Sequence, residues 1–136
     1  MRLASVLFLL LLQACGNSPS CDISNGLPAA NAGCFVAQGN QVLVARQRNG
    51  LVNIPGGTSA GGEYAECTAA RETLEETGLQ VDVGQLLKVY PNGFHLFRCT
   101  DRGDGVLGPL DALEVDSAFW VAEQDFDAQN WRLNHG

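Results

Sequence analysis

The most informative part of this chain is residues 57–79, which read GTSAGGEYAECTAARETLEETGL. Residues 63–77 of this segment have helical character, which stops at Gly78, a residue type that often ends helices. Its acidic residues include Glu72, Glu75 and Glu76. On a helix, side chains at i, i+3 and i+4 lie on one face, so we expect these three carboxylates to converge.

Three like charges on one helix face repel one another, by roughly a few tenths of a kcal/mol for each exposed pair. Hard cations such as Mg²⁺ and Mn²⁺ remove that penalty, because carboxylate oxygens are their preferred ligands. The alternative is a solvated acidic face on which Arg71 pairs with Glu75. Two neighbouring features of the sequence favour a metal site over a solvated acidic face. The Pro-Gly-Gly turn at residues 55–57 lets a main-chain carbonyl approach, and we expect Glu63 in the first helical turn, where the helix dipole favours an anion.

The segment resembles the Nudix box, G-x5-E-x7-R-E-U-x-E-E-x-G-U, where U is a bulky apolar residue. Every charged and glycine position is matched, by Gly57, Glu63, Arg71, Glu72, Glu75, Glu76 and Gly78. Leu79 fills the final apolar position. The one departure is Thr73 at the first apolar position, where its methyl group can still pack. With the flanking strand order, the resemblance extends over roughly residues 34–131.

The resemblance implies an α/β fold, arranged as an α/β/α sandwich with a mixed β-sheet. It also implies hydrolysis of a nucleoside diphosphate linked to another moiety, by attack of water on phosphorus with the help of metal ions. The implied ligands of Mg²⁺, or of Mn²⁺, are the carboxylates of Glu72, Glu75 and Glu76 and the carbonyl of Gly57. Arg71 would orient the glutamates, Glu63 would brace the loop against the helix, and Gly78 would support the site.

The general base is expected either within the box or at a glutamate outside it. Our candidate is Glu114, which follows a loop and precedes a predicted strand at residues 117–121. In similar proteins a glutamate in that region reaches the metal centre. An exposed loop carboxylate is the alternative interpretation, and the weaker competitors for the role are Asp104, Asp111 and Asp116. The identity of the substrate does not follow from these residues.

The pattern around the box predicts one domain, because 136 residues suffice for one core and not for two. Strands are predicted at residues 34–37, 41–46, 51–54, 81–89, 94–99 and 117–121. Helices are predicted at residues 63–77 and 123–131. Gly39-Asn40 is a favoured hairpin turn, and three glycines and a proline mark a loop in residues 101–110.

The first 14 residues resemble a signal peptide. Arg2 precedes an apolar run at residues 3–12, which is too short for a bilayer with ~30 Å of hydrocarbon. Residues 12–15, Leu-Gln-Ala-Cys, resemble a bacterial lipobox, which would make Cys15 the lipid-modified first residue of the mature protein. Ordinary cleavage after Ala14 or a little further on is the alternative. We therefore expect an exported protein of the cell envelope or periplasm, with a lipid anchor as its only contact with a membrane.

Residues 15–32, rich in small and polar side chains, are predicted to be a tether leading into a domain at residues 33–136. With Cys15 lipidated, four cysteines remain, and an even number in an exported protein suggests two disulfides. Three pairings are possible. Our expectation is Cys21–Cys34, joining the tether to the first strand, and Cys67–Cys99, joining the box helix to a strand. Four reduced thiols are the alternative.

The net charge of −7 argues against a surface for nucleic acid. An acidic protein that acts on an acidic substrate needs a neutralising group where the two meet, and a divalent metal is the usual one. The competing functions are a Nudix-fold module that binds nucleotides without hydrolysing them, a diphosphate isomerase of the isoprenoid type, and a structural envelope lipoprotein. Nudix-fold binding modules usually lack one of the box glutamates, whereas this chain keeps them all, so we expect a hydrolase.

Overall fold

The computed structural model describes residue 21 and residues 25–132. The elements in chain order are β1 (Asn31–Gln38), β2 (Gln41–Gln47), β3 (Val52–Asn53), β4 (Gly56–Thr58), α1 (Ala65–Thr77), β5 (Val81–Val89), β6 (Phe94–Asp101) and β7 (Val115–Ala122), followed by a 3-10 turn at Glu123–Asp125. None of the helices in these described ranges is long and apolar enough to cross a membrane. The predicted signal peptide and Cys15 lie outside the described residues.

Strand β1 lies at the centre of a mixed sheet. It pairs in parallel with β6 from Asn31 to Val36, and its two ends pair antiparallel with β4 and β2. β6 pairs antiparallel with β5, while β2 pairs antiparallel with both β3 and β7. A parallel pair needs a long crossover connection, and the crossover between β1 and β6 contains α1. The predicted α/β class with a mixed sheet is confirmed.

Most strand predictions are confirmed, including the hairpin between β1 and β2, but the predicted helix at residues 123–131 is wrong. After the 3-10 turn, the chain continues in turns and then forms a bridge to β3, where the Val52 N–H donates to the Asn130 carbonyl (2.9 Å). The Trp131 indole N–H donates to the Phe126 carbonyl (2.8 Å), and the two ring centroids are 4.4 Å apart. The contact with Val52, which is distant in sequence, and the local contact of Trp131 with Phe126 stand in place of helical hydrogen bonds.

Helix α1 packs its small side chains against the sheet. Its buried residues include Ala65, Ala69 and Thr73, which follow one another at intervals of four and so lie on one face. Thr73 is fully buried, and its hydroxyl donates to the Ala69 carbonyl (2.7 Å). The departure from the Nudix box is therefore accommodated, because the methyl group packs in the core while the hydroxyl is hydrogen-bonded.

The segment before β1 caps the start of α1. The Ala65 N–H donates to the Leu27 carbonyl (2.7 Å), and the Leu27 N–H donates to the Glu66 carboxylate (3.0 Å). The first N–H groups of a helix need acceptors from outside the helix, and residue 27 supplies one. Two expectations change as a result. The fold begins before residue 33, within the predicted tether, and Glu63 lies before the first turn of α1 instead of in it.

Two disulfides are present, as expected, but the predicted pairing is wrong. Cys34 is bonded to Cys99 and Cys21 to Cys67, each with Cα atoms 5.5 Å apart. Cys34 and Cys99 lie on the adjacent parallel strands β1 and β6, and both side chains belong to the main core. Cys67 lies on a partly exposed side of α1, where the segment before β1 passes. The sheet therefore pairs the two strand cysteines with each other.

Candidate active site

Arg71 is the centre of an ion-pair network on α1. Its Nε donates to Glu63 (2.9 Å), and its Nη1 donates to both Glu72 (3.0 Å) and Glu75 (3.2 Å). Its Nη2 donates to the Thr58 carbonyl (2.9 Å) and to the second oxygen of Glu63 (3.0 Å). A solvated helix face would have an ion pair between Arg71 and Glu75. That ion pair is present, but only as one part of this wider network. One guanidinium thus joins the loop after β4 to two of the three clustered glutamates.

Glu63 anchors that loop to the helix as an ionised carboxylate. The bidentate hydrogen bond from Arg71 holds the pKa of Glu63 at about 2, and the Thr68 hydroxyl (2.7 Å) and the Ala60 N–H (3.1 Å) also donate to it. The same contact with Glu63 raises the pKa of Arg71 above its ordinary value. The geometry matches the bracing contact that the sequence resemblance implies for Glu63.

Glu72 and Glu76 carry negative charge that the protein does not fully compensate. Burial raises the pKa of the Glu72 carboxyl, and it raises the pKa of Glu76, which is 8% exposed, to about 8. The neighbouring carboxylates raise both pKa values further, against a hydrogen bond to Glu76 from the Gly56 N–H (3.2 Å). Arg71 donates to Glu72, whereas the donor to Glu76 is the main-chain N–H of Gly56. The site therefore favours a cation or a proton at Glu76.

Gly57 lies directly against this acidic face. A Cβ atom at this position would lie 2.5 Å from the Glu72 carboxyl carbon, closer than any side chain can come. A side chain at position 57 would displace the Glu72 carboxylate from the main chain of β4. This contact brings a main-chain segment and the acidic helix face together, which is what a shared metal site with a Gly57 carbonyl ligand needs.

Gly78 ends α1 and makes room for the loop that carries Glu114. Its φ of 78° is left-handed, and its N–H donates to the Leu74 carbonyl (2.8 Å). A Cβ atom here would also collide with the main-chain oxygens of Val106 and Gly108. The predicted helix end at Gly78 is confirmed, and its supporting role has a physical basis in both backbone conformation and space.

The loop at residues 102–114 docks on the last turn of α1. The Gly108 N–H donates to the Thr77 carbonyl (2.8 Å), and the N–H groups of Leu110 (2.8 Å) and Asp111 (2.9 Å) both donate to the Glu75 carbonyl. The final carbonyls of a helix have no partner within the helix, so the loop satisfies them. Through these bonds the loop is attached to the same helical turn that carries the glutamates.

The docked loop also carries Glu114. Its negative charge contributes to the raised pKa of both Glu72 and Glu76, although its side chain is exposed. Among the predicted competitors, Asp111 uses its carboxylate to accept main-chain N–H groups within the loop, and Asp104 and Asp116 are exposed as Glu114 is. Sequence reasoning missed Arg48, which contacts this loop from the turn between β2 and β3.

The donors at this site fit a hard divalent cation. In the part of the chain that the structure describes, no group of three or more His, Cys, Asp or Glu side chains is arranged so that it could hold a metal ion. Three glutamates nevertheless follow one another at helical spacing on α1, and burial raises the pKa values of Glu72 and Glu76. All of these donors are oxygen atoms, the type that Mg²⁺ prefers.

The buried Glu76 predicts an unusual pH dependence of stability without metal. Its folded pKa of about 8 lies above the ordinary 4.5, so the folded protein binds more protons between these pH values. The free energy of unfolding should therefore fall as pH rises from about 4.5 to about 8, by a few kcal/mol at most. Denaturant titrations in a chelator at several pH values measure this slope.

The matched control for that experiment is Glu123→Gln, on the exposed turn after β7. Glu76→Gln keeps an acceptor for the Gly56 N–H and removes the titrating group, so its stability should fall less steeply with pH. Glu123→Gln should behave as the wild type. Equal slopes for Glu76→Gln and the wild type would contradict the assignment of a proton to Glu76.

Comparison with known proteins gives one consistent family. The NUDIX domain model matches residues 27–136. The chain is 37% identical over 78 residues to a MutT-like protein of Streptomyces ambofaciens, covering 53% of this chain and 51% of that one. It is 34% identical over 97 residues to the NAD-capped RNA hydrolase NudC of Vibrio parahaemolyticus, covering 66% of this chain and 37% of that one. It thus spans about half or less of these curated relatives.

The fold is also similar to that of a solved structure. An ADP-ribose pyrophosphatase from Streptococcus suis superposes with a TM-score of 0.66 at 20% sequence identity. The superposition covers 78% of this chain and 81% of that one. At this level of identity the likeness supports the architecture of sheet and helix described above.

Proposed function

The chain belongs to the Nudix family, and from this we propose that it is a divalent-metal-dependent hydrolase of a diphosphate linkage in a nucleoside diphosphate derivative. The observation that carries the proposal is the acidic face of α1. Glu72 lies there against the Gly57 main chain, and Glu76 accepts the Gly56 N–H. Arg71 holds Glu72 and Glu75 in place. A cluster of unmet negative charge in contact with a main-chain segment is suited to binding a cation that in turn binds phosphate.

The roles of the residues follow from their contacts. The carboxylates of Glu72, Glu75 and Glu76, with the Gly57 carbonyl, would hold Mg²⁺ or Mn²⁺. When bound, the metal supplies charge stabilisation on the diphosphate and lowers the pKa of a nearby water. Arg71 restricts the rotamers of Glu72 and Glu75 through its shared Nη1. Glu114 would accept a proton from the attacking water at its carboxylate, since its loop is bonded to α1 at the Glu75 carbonyl and its charge acts on Glu72 and Glu76.

A nucleotide-binding module without catalysis is the second candidate. All the box glutamates are present, and Glu114 approaches them from a separate loop, which an inert binding site does not need. This arrangement favours the enzyme. The nucleotide ligand of a binding module would meet a protein of net charge −7. Such a module would also have no chemical use for the buried Glu76.

The deciding experiment is a panel of nucleoside diphosphate derivatives tested with Mg²⁺, with Mn²⁺ and with a chelator. One similar structure is named as an ADP-ribose pyrophosphatase and one relative as an NAD-capped RNA hydrolase, so ADP-ribose and NAD-capped RNA come first in the panel. We expect metal-dependent cleavage that leaves a nucleoside monophosphate, detected by mass spectrometry, with ¹⁸O from labelled water in one product phosphate. Metal-dependent binding without cleavage across the panel would favour the binding module.

We also propose that the protein is exported and lipid-anchored at Cys15. The two disulfides support this, because disulfides persist in oxidising compartments outside the cytoplasm. The mass of the mature N-terminus tests the proposal, and the expected mass is that of an acylated chain beginning at Cys15. Cys15→Ser should block processing or release the protein from membranes without changing hydrolysis. An unacylated N-terminus would contradict lipidation, and an intact Met1 would contradict export.

A further inference from the structure

We propose that Arg48 is a positioning residue that holds Glu114 at the acidic cluster, an inference that rests on the proposed hydrolase function. Arg48 lies in the turn between β2 and β3. Its Nε donates to the Ala112 carbonyl (2.6 Å), its Nη2 donates to the same oxygen, and its main-chain N–H donates to the Glu114 carbonyl (3.2 Å). Arg48 thus contacts the carbonyls of Ala112 and Glu114, both of which lie more than 60 residues further along the chain.

Residues 112–114 precede β7, whose first residue, Val115, is buried, but they make no apolar contact of that kind themselves. Leu113 is 89% exposed, and Ala112 and Glu114 are exposed as well, so apolar packing cannot hold them. Asp111 completes the restraint from within the loop. Its carboxylate accepts the N–H groups of Leu113 (3.2 Å) and Glu114 (3.4 Å), and its carbonyl accepts the Val115 N–H (3.1 Å). Hydrogen bonds therefore restrain Glu114 at both its main-chain N–H and its carbonyl.

The restraint matters because the cluster repels Glu114. The N–H groups of Leu110 and Asp111 attach the loop to the Glu75 carbonyl, so Glu114 follows three residues after a contact with the acidic turn of α1. Glu114 has the same negative charge as that turn, so a free loop would move its carboxylate away. The guanidinium of Arg48 binds the main-chain oxygen of Ala112, not the Glu114 carboxylate, so it fixes the backbone while leaving the carboxylate able to accept a proton. Charge-assisted bonds from a planar guanidinium suit this task better than those of a lysine.

The test compares Arg48→Ala with Arg102→Ala, a matched change at the other end of the same loop. Arg102 pairs with the exposed Asp82 (2.9 Å), far from the Glu114 contacts in sequence. We expect Arg48→Ala to lower kcat about 10-fold to 100-fold while KM changes less than about twofold, because positioning contacts typically act on this scale. Arg102→Ala should retain wild-type kcat and KM.

A double-mutant cycle with Glu114→Gln separates positioning from general stability. If Arg48 acts through Glu114, adding Arg48→Ala to Glu114→Gln should cause no further loss of kcat. Losses that multiply would overturn the inference, because Arg48 would then act independently of Glu114. A change mainly in KM would also overturn it and would make Arg48 a substrate-binding residue.

Amide hydrogen exchange distinguishes failure of this inference from failure of the proposed function. Without any substrate, Arg48→Ala should speed exchange at Leu113, Glu114 and Val115, and Arg102→Ala should not. If the wild type hydrolyses no diphosphate, the proposed function fails and the catalytic role of Arg48 fails with it. Separately, an unchanged rate of amide exchange in Arg48→Ala would refute the restraint of the Glu114 backbone by Arg48. If the wild type is active and Glu114→Gln is impaired but Arg48→Ala is not, the inference alone fails.

Discussion

Glutamine at position 75 or 76 is expected to lower turnover about 10³-fold while the fold is retained, because a ligand charge that stabilises the transition state is lost. Glu75→Gln removes a charge from the partly exposed end of the Arg71 network. Glu76→Gln removes the buried carboxyl with the raised pKa. Measurements of kcat with saturating Mg²⁺, together with circular dichroism spectra, test both variants.

The structure supplies a matched control on the same helix. Glu66 also lies on α1, but in its first turn, where its carboxylate accepts the Leu27 N–H. Glu66→Gln should therefore keep normal turnover. Above about pH 8, where Glu76 is ionised, neither Glu75→Gln nor Glu76→Gln should lower stability without metal, since each removes one of several clustered negative charges. Near-normal Mg²⁺-dependent activity in both variants would refute the assignment of these glutamates.

Removal of the Cys34–Cys99 disulfide by the double substitution Cys34→Ala/Cys99→Ala should lower the free energy of unfolding by about 4 kcal/mol. The bond joins residues 65 apart in the chain, so its loss frees a long loop in the unfolded state. Both sulfur atoms also lie in the main core, and smaller side chains would leave space beside β1 and β6. Chemical denaturation at constant pH measures the change.

The second disulfide is the natural comparison. Cys21–Cys67 spans 46 residues, so chain entropy predicts a similar loss of about 4 kcal/mol for Cys21→Ala/Cys67→Ala, but no core cavity adds to it. Because Cys21 is exposed and Cys34 is buried, a hydrophilic reductant should open Cys21–Cys67 first. Peptide mapping after partial reduction checks this order, and preferential opening of the core bond would contradict it.

The sequence by itself determined the features that depend on near neighbours. Glu72, Glu75 and Glu76 share a face because helical spacing places them there, and Gly78 ends the helix because it adopts a left-handed conformation without strain. The hairpin at Gly39-Asn40 follows from the same local preferences. In each case the controlling interactions lie within about one helical turn or one reverse turn.

Tertiary structure alone decided what depends on distant residues. Alternative disulfide pairings are equally compatible with the spacing of the cysteines, and only the parallel pairing of β1 with β6 selects Cys34–Cys99. Pairing with β3 overrode the helix predicted at residues 123–131, and the Leu27 carbonyl moved the start of α1 to Ala65. The contact of Arg48 with Ala112, which places Glu114, likewise leaves no local pattern, because its partners meet only after the sheet has formed.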